Sequence, residues 1–215
     1  MYKRQVWKRP DLKSILLILF LIGTFGMNFP IFISTMSVKV FHAGAGQYGL
    51  LSSTMAAGSV VAALMAARRK RTHIALLFGA AAVFGAGLAL AAAMPNYWLF
   101  GAALVIVGLA TQTLTTTALS VVQMSTTPAM RGRVMAIVLA ITLGGAPIGA
   151  PTVGWVADRF GARWAMGLGA AAGAAAALAG LAYLIQHKGL RLKRDSGRLR
   201  FSLDGAPLHG DLAPL

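Results

Sequence analysis

Between residue 15 and residue 185 the chain is almost free of charge, and the few charges there are gathered into short clusters. The stretches between clusters are apolar and about 20 residues long, the length a helix needs to cross the hydrocarbon core of a bilayer. No water reaches backbone N–H and C=O groups in that core, so each crossing segment has to pair them internally, as a helix does. The lipid bilayer is therefore the first partner the sequence demands.

Composition agrees. Hydrophobic residues make up 57% of the chain and charged residues only 12%, against about 25% charged in an ordinary soluble domain. The acidic residues are five aspartates, with no glutamate. The absence of cysteine excludes disulfides and thiol chemistry and leaves the redox compartment unreadable. A net charge of +15 would suggest nucleic acid in a soluble protein. Here the charges lie between apolar runs, as loop charges do, so no nucleic acid is expected.

Six spans follow, over residues 14–36, 47–67, 73–94, 97–122, 134–156 and 163–185. Pro95-Asn96 separates the third from the fourth, and Thr126-Thr127-Pro128 with Arg131-Gly132-Arg133 separates the fourth from the fifth. Three regions result: an N-terminal segment 1–13, a six-helix bundle 14–186, and a basic tail 187–215 expected to be disordered. Met1-Tyr2-Lys3-Arg4-Gln5 can be encoded by ATG-TAT-AAG-AGA-CAG, which resembles the transposon end used in preparing sequencing libraries. Residues 1–5 are therefore set aside as a candidate construction scar, with a native basic N-terminus as the alternative.

Basic residues in short loops give the orientation. Of the 20 lysines and arginines, only Lys39, Arg159 and Arg163 fall on one side, and all the others fall with the two termini. Both termini are expected to be cytoplasmic, in a multi-pass membrane protein.

The chain also carries an internal repeat. With Gly58 placed over Gly149, Ala66 falls on Ala157, Arg68 on Arg159, and the small residues Ala63 and Gly154 coincide. Each matched stretch closes the second span of a three-span unit. Three is odd, so the second copy is inverted in the membrane. The expected fold is all-α: six transmembrane helices as a 3+3 inverted repeat. Glycine pairs four apart, Gly145/Gly149 and Gly169/Gly173, allow close helix packing.

Several stretches resemble a known family: Asn28-Phe29-Pro30, Gln47-Tyr48-Gly49-Leu50-Leu51, Arg131-Gly132-Arg133-Val134-Met135 and Ala146-Pro147-Ile148-Gly149. Over about residues 11–187 the chain is similar to the C-terminal six-helix half of a major facilitator transporter. It looks most like the bacterial drug and siderophore exporter branch that includes the enterobactin exporter. The resemblance implies a fragment of a twelve-helix protein whose partner is a missing N-terminal six-helix half. It implies a secondary-active exporter that moves a small molecule, drug- or siderophore-like, across the bacterial inner (plasma) membrane by alternating access.

The family's gating motif, G-x-x-x-D-R-x-G-x-R, belongs after the second helix of each half. Here that loop holds Arg68–Arg71 but lacks the aspartate and glycine. The matching residues, Gly154, Asp158, Arg159, Gly161 and Arg163, come after the fifth span, on the opposite face. Asp158 can pair with Arg159 or Arg163. An outer gate contact and a solvated turn both remain open for this loop.

No Asp, Glu, Lys or Arg lies inside a span, so the chain offers no proton-coupling carboxylate of its own. Polar residues at depth are Asn28, before the helix-loosening Pro30, and the face Gln112, Thr115, Thr116 in span four. Asn28 either borders a cavity or bonds a neighbouring helix. The span-four face either lines the substrate cavity or packs, its hydroxyls bonded to their own backbone. Pro30, Pro147 and Gly149 are hinge candidates, and Asp158, Arg159 and Arg163 gate candidates. No nucleophile elbow, metal-binding helix or nucleotide loop is present, so no enzyme activity, metal or cofactor is expected. His42 and His73 sit at loop edges and are unsupported as ligands. The alternative function is a complete six-helix scaffold or homodimerising subunit without transport activity of its own.

Overall fold

The computed structural model describes residues 10–69, 72–188, 190–195 and 198–203, with side chains between Ser14 and Gln186. The candidate scar at 1–5, the loop residues Lys70 and Arg71, and tail residues 204–215 lie outside the described residues.

Six helical spans are long and apolar enough to cross a membrane: Ser14–Val40, Ala45–Ala67, Ile74–Ala93, Tyr97–Met124, Pro128–Arg159 and Ala162–Gln186. The fifth begins earlier than expected, because Arg131 and Arg133 join its first turns. Long arginine side chains near a helix end can reach back to the water interface. Helix starts follow local chemistry. After Pro95, the Asn96 side-chain oxygen accepts the Leu99 N–H at 2.9 Å and opens span four. Gly44 N–H donates to Gln47 Oε1 at 2.8 Å and opens span two. The turn between spans five and six needs a left-handed residue, and Gly161 supplies it at φ +100°.

The spans pack through small residues. A side chain at Gly58 would collide with the Val105 carbonyl, and one at Gly108 with the Met55 carbonyl. Spans two and four thus cross with backbones in near contact, and Ser59 Oγ donates to Gly108 O across the crossing at 3.2 Å. Span five meets span one in the same way: Gly145 and Gly149 both lie against Thr24. Gly58 and Gly149 are the residues that the repeat superposes, and each seats the second span of its unit on the first span of the other unit. Spans three and six, the third of each unit, meet at Gly85 and Gly173. The six spans therefore form a 3+3 inverted repeat.

Spans one and five are interrupted. Span one passes from α-helix into a π-helical turn at Ile22–Gly26, breaks at Met27-Asn28, resumes as α-helix over Phe29–Thr35, and ends in a second π-turn, Met36–Val40. Pro30 sits in the first turn after the break, where its missing N–H costs nothing. Span five breaks at Gly145 and resumes with Pro147 in its first turn, while Pro151 lies inside that second segment. π-turns and prolines are the usual causes of such kinks.

Part of the tail is described. Leu190–Asp195 (β1) and Arg198–Leu203 (β2) pair as antiparallel strands, with Leu192 opposite Phe201 in register. The sequence signal was there: apolar and basic residues alternate on both sides of Ser196-Gly197.

Candidate functional site

A groove of about 470 Å³ runs between the second half of span one and the first half of span two. Phe29, Pro30 and Ile33 form one wall. Tyr48, Ser52, Met55 and Ser59 form the other, with Ala56 and Val60. Positions 48, 52, 55 and 59 follow three- and four-residue steps, so one helix face presents all four. The lining holds no Lys, Arg, His, Asp or Glu. The Ser52 hydroxyl donates to Tyr48 O at 3.0 Å, and that of Ser59 shares its one proton between Gly108 O at 3.2 Å and Met55 O at 3.3 Å, so both oxygens remain able to accept. The Tyr48 hydroxyl has no hydrogen-bond partner among the described residues. The groove thus offers aromatic and thioether surface with a few neutral hydrogen-bonding groups.

Among the cavity and hinge candidates, Pro30 alone lies in this groove. Asn28 is buried at the span-one break, and its Nδ2 donates to Thr24 O at 2.8 Å. It bonds its own span, bracing the break from one side to the other, rather than a neighbouring helix. In span four the Thr115 hydroxyl donates to Thr111 O and Gln112 O, and that of Thr116 to Gln112 O and Thr113 O. Gln112, Thr115 and Thr116 are half-buried, and the groove does not include them. Pro147 and Gly149 stand at the span-five break, with Gly149 on Thr24. Hydroxyls satisfied within their own turn explain how so polar a stretch sits in an apolar bundle.

The 154–164 loop departs from its expected pairing. Asp158 pairs with neither Arg159 nor Arg163; its Oδ1 lies 2.7 Å from Nζ of Lys39, at the end of span one. Arg163 Nη2 instead donates to Met94 O, the carbonyl closing span three, at 3.1 Å. A cation there also favours the negative end of the helix dipole. Arg159 is exposed. The charged side chains Asp158 and Arg163 therefore reach spans one and three, while Trp155 and Phe160 pack on each other within the stretch, with ring centroids 5.7 Å apart.

A model of the Major Facilitator Superfamily matches residues 15–208. The chain belongs to that superfamily. It is accordingly a multi-pass membrane transport protein, of a family of transporters rather than enzymes. No curated protein matches the chain. In a major facilitator protein, a concave groove built on interrupted helices is where cargo can be held and released.

Sequence reasoning passed over the groove wall on span two and the Lys39 contact. The first was readable as the face Tyr48, Ser52, Met55, Ser59, but the denser threonines of span four drew the assignment. The second joins residues 119 positions apart, and local pattern carries no signal for it.

Proposed function

We propose that the groove between spans one and two is one wall of the cargo path in a secondary-active exporter of the bacterial inner membrane. The cargo is a small amphipathic molecule, drug- or siderophore-like, and a second six-helix half forms the opposite wall. The observation that carries this is the groove itself: uncharged, aromatic, and walled by a helix segment that starts at a break. Burial supports the second half. Only 17% of span two's most apolar stretch and 22% of span five's is buried in the bundle, against 44% to 50% for the other four. Gly46, Gly49, Gly144 and Gly154 on those two spans face open space, as do single glycines, Gly79 and Gly167, on spans three and six. Small residues suit close helix contact better than contact with lipid. The coupling carboxylates belong to the second half in this reading, since the one carboxylate within the spans here, Asp158, sits exposed in the last turn of span five and pairs with Lys39. The enterobactin-exporter-like branch of the superfamily is the relative that fits such a cargo.

Purified into nanodiscs and titrated with an amphipathic fluorescent dye, the chain should bind it in the groove. Tyr48→Ala should weaken that binding about tenfold, roughly 1.4 kcal/mol, with thermal stability unchanged. Equal affinity in the variant removes the groove from the cargo path. Vesicles holding only this chain should show no proton-dependent efflux of the dye. Efflux from them would mean that no second half is required.

A further inference from the structure

One wall of the groove is the half-helix Phe29–Thr35, which leads into the π-turn Met36–Val40. Its inner end is a break, bridged by the Asn28 side chain bonded to Thr24 O. Its outer end is held in two places. The Phe41 ring rests on Tyr97 and Phe100 of span four, with centroids at 6.2 Å and 5.4 Å. Lys39 reaches Asp158 on span five. The aromatic contact is apolar and insensitive to salt. The ion pair is exposed, with side chains 46% and 74% accessible, so salt screens it and small forces break it. Span five is itself clamped to the lower part of span one by Gly145 and Gly149 on Thr24. The wall is thus tied at its tip to a helix already fixed below its hinge.

We propose that Lys39 and Asp158 are positioning residues that set the width of the groove, by tying the tip of the half-helix after the Asn28 break to the end of span five. With the pair closed, Phe29 and Ile33 stand against Tyr48 and Met55 at the spacing the structure records. With the pair open, the half-helix turns about Met27-Asn28 and the groove widens toward the end of the bundle that carries Lys39. The look-alike gating loop then acts on the groove directly. Its aspartate holds one wall, and its second arginine, Arg163, keeps the same end of span three in place. This rests on reading the groove as the cargo path, but groove width can be measured without any cargo.

The chain has no cysteine, so Ser52→Cys gives one reporter inside the groove. In nanodiscs, its rate of reaction with a water-soluble maleimide reads the opening. Lys39→Gln and Asp158→Asn should each raise that rate about two- to fivefold, the range an exposed pair supports. The double variant should be no faster than either single one, and the exchange Lys39→Asp with Asp158→Lys should restore the slow rate. The otherwise unchanged reporter should also speed up between about 10 mM and about 500 mM salt, while the Asp158→Asn reporter should not. Single variants without effect, effects that multiply in the double variant, or an exchange that stays fast would each overturn the assignment. Should a single variant fail to fold, the salt series on the unchanged reporter decides: a flat rate overturns it. Loss of dye binding by Tyr48→Ala is read separately, so either idea can fail without the other.

Discussion

Gly149→Val should destabilise the bundle by about 3 kcal/mol or more, the upper range for overpacking a dense interior. A Cβ at this position would run into the Thr24 carbonyl, which belongs to the backbone of a span fixed on its other faces. No rotamer change relieves that collision, so spans one and five would have to part at their crossing. Gly58→Val should cost a similar amount, because Gly58 meets the Val105 carbonyl at the crossing related by the repeat. Gly154→Val is the control. It lies on the same helix segment as Gly149, but nothing stands within 4 Å of its Cβ position. Its effect should stay within about 0.5 kcal/mol, as for an ordinary surface change. Unfolding of the purified proteins in mixed micelles measures all three. A Gly149→Val protein as stable as Gly154→Val would mean that the crossing is looser than the structure records, and the repeat's glycine register would lose its physical basis.

That register was legible in the sequence, and the reason is physical. Helices in lipid approach through small residues, so the crossing glycines have to appear at repeat-related positions whatever else diverges. The six spans were legible from apolar length alone. The hinges were legible as places but not as forms. Pro30 and Pro147 marked where spans one and five yield, yet each proline sits just past its break, in the first turn of the resumed helix. The two π-turns of span one left no mark that composition or spacing could reveal.

The candidate site was less legible. Polar residues in an apolar span invite a functional reading, and span four has the densest set. Yet the Thr111, Thr115 and Thr116 hydroxyls all donate to carbonyls three or four residues back in their own helix. Such a bond forms without any long-range structure, so a threonine run reads the same whether or not it lines a cavity. The groove needs two spans brought together, and on span two its hydrogen-bonding groups are only one tyrosine and two serines among Met55, Ala56 and Val60. Asp158 shows the same limit from the other side. Its nearest charges in the sequence are Arg159 and Arg163, but the fold brings Lys39 closer.

Arg68 and Arg159 coincide in the repeat, and an odd number of spans in each unit should place them on opposite faces of the membrane. Arg68 closes span two and Arg159 closes span five, and both are exposed. By the loop assignment of the sequence, nearly all the basic residues are expected on the side of Arg68, and only Lys39, Arg159 and Arg163 on the other. The cytoplasmic side retains lysine and arginine, so Arg68 should lie inside and Arg159 outside. Each replacement by cysteine removes one positive charge and leaves that bias intact. In intact spheroplasts, Arg159→Cys should react with an impermeant thiol reagent, and Arg68→Cys should react only once the membrane is opened. The contrast should be close to all-or-none, because a sealed bilayer separates the two sites. Labelling of both from the same side would overturn the inverted repeat and the count of six spans together. Labelling of Arg68→Cys in intact cells, with Arg159→Cys reacting only after lysis, would keep the repeat and reverse the orientation. The loop holding Asp158 and Arg163 would then face the cytoplasm, the side on which the family's gating motif is expected, and its tie to Lys39 would close the groove from within the cell.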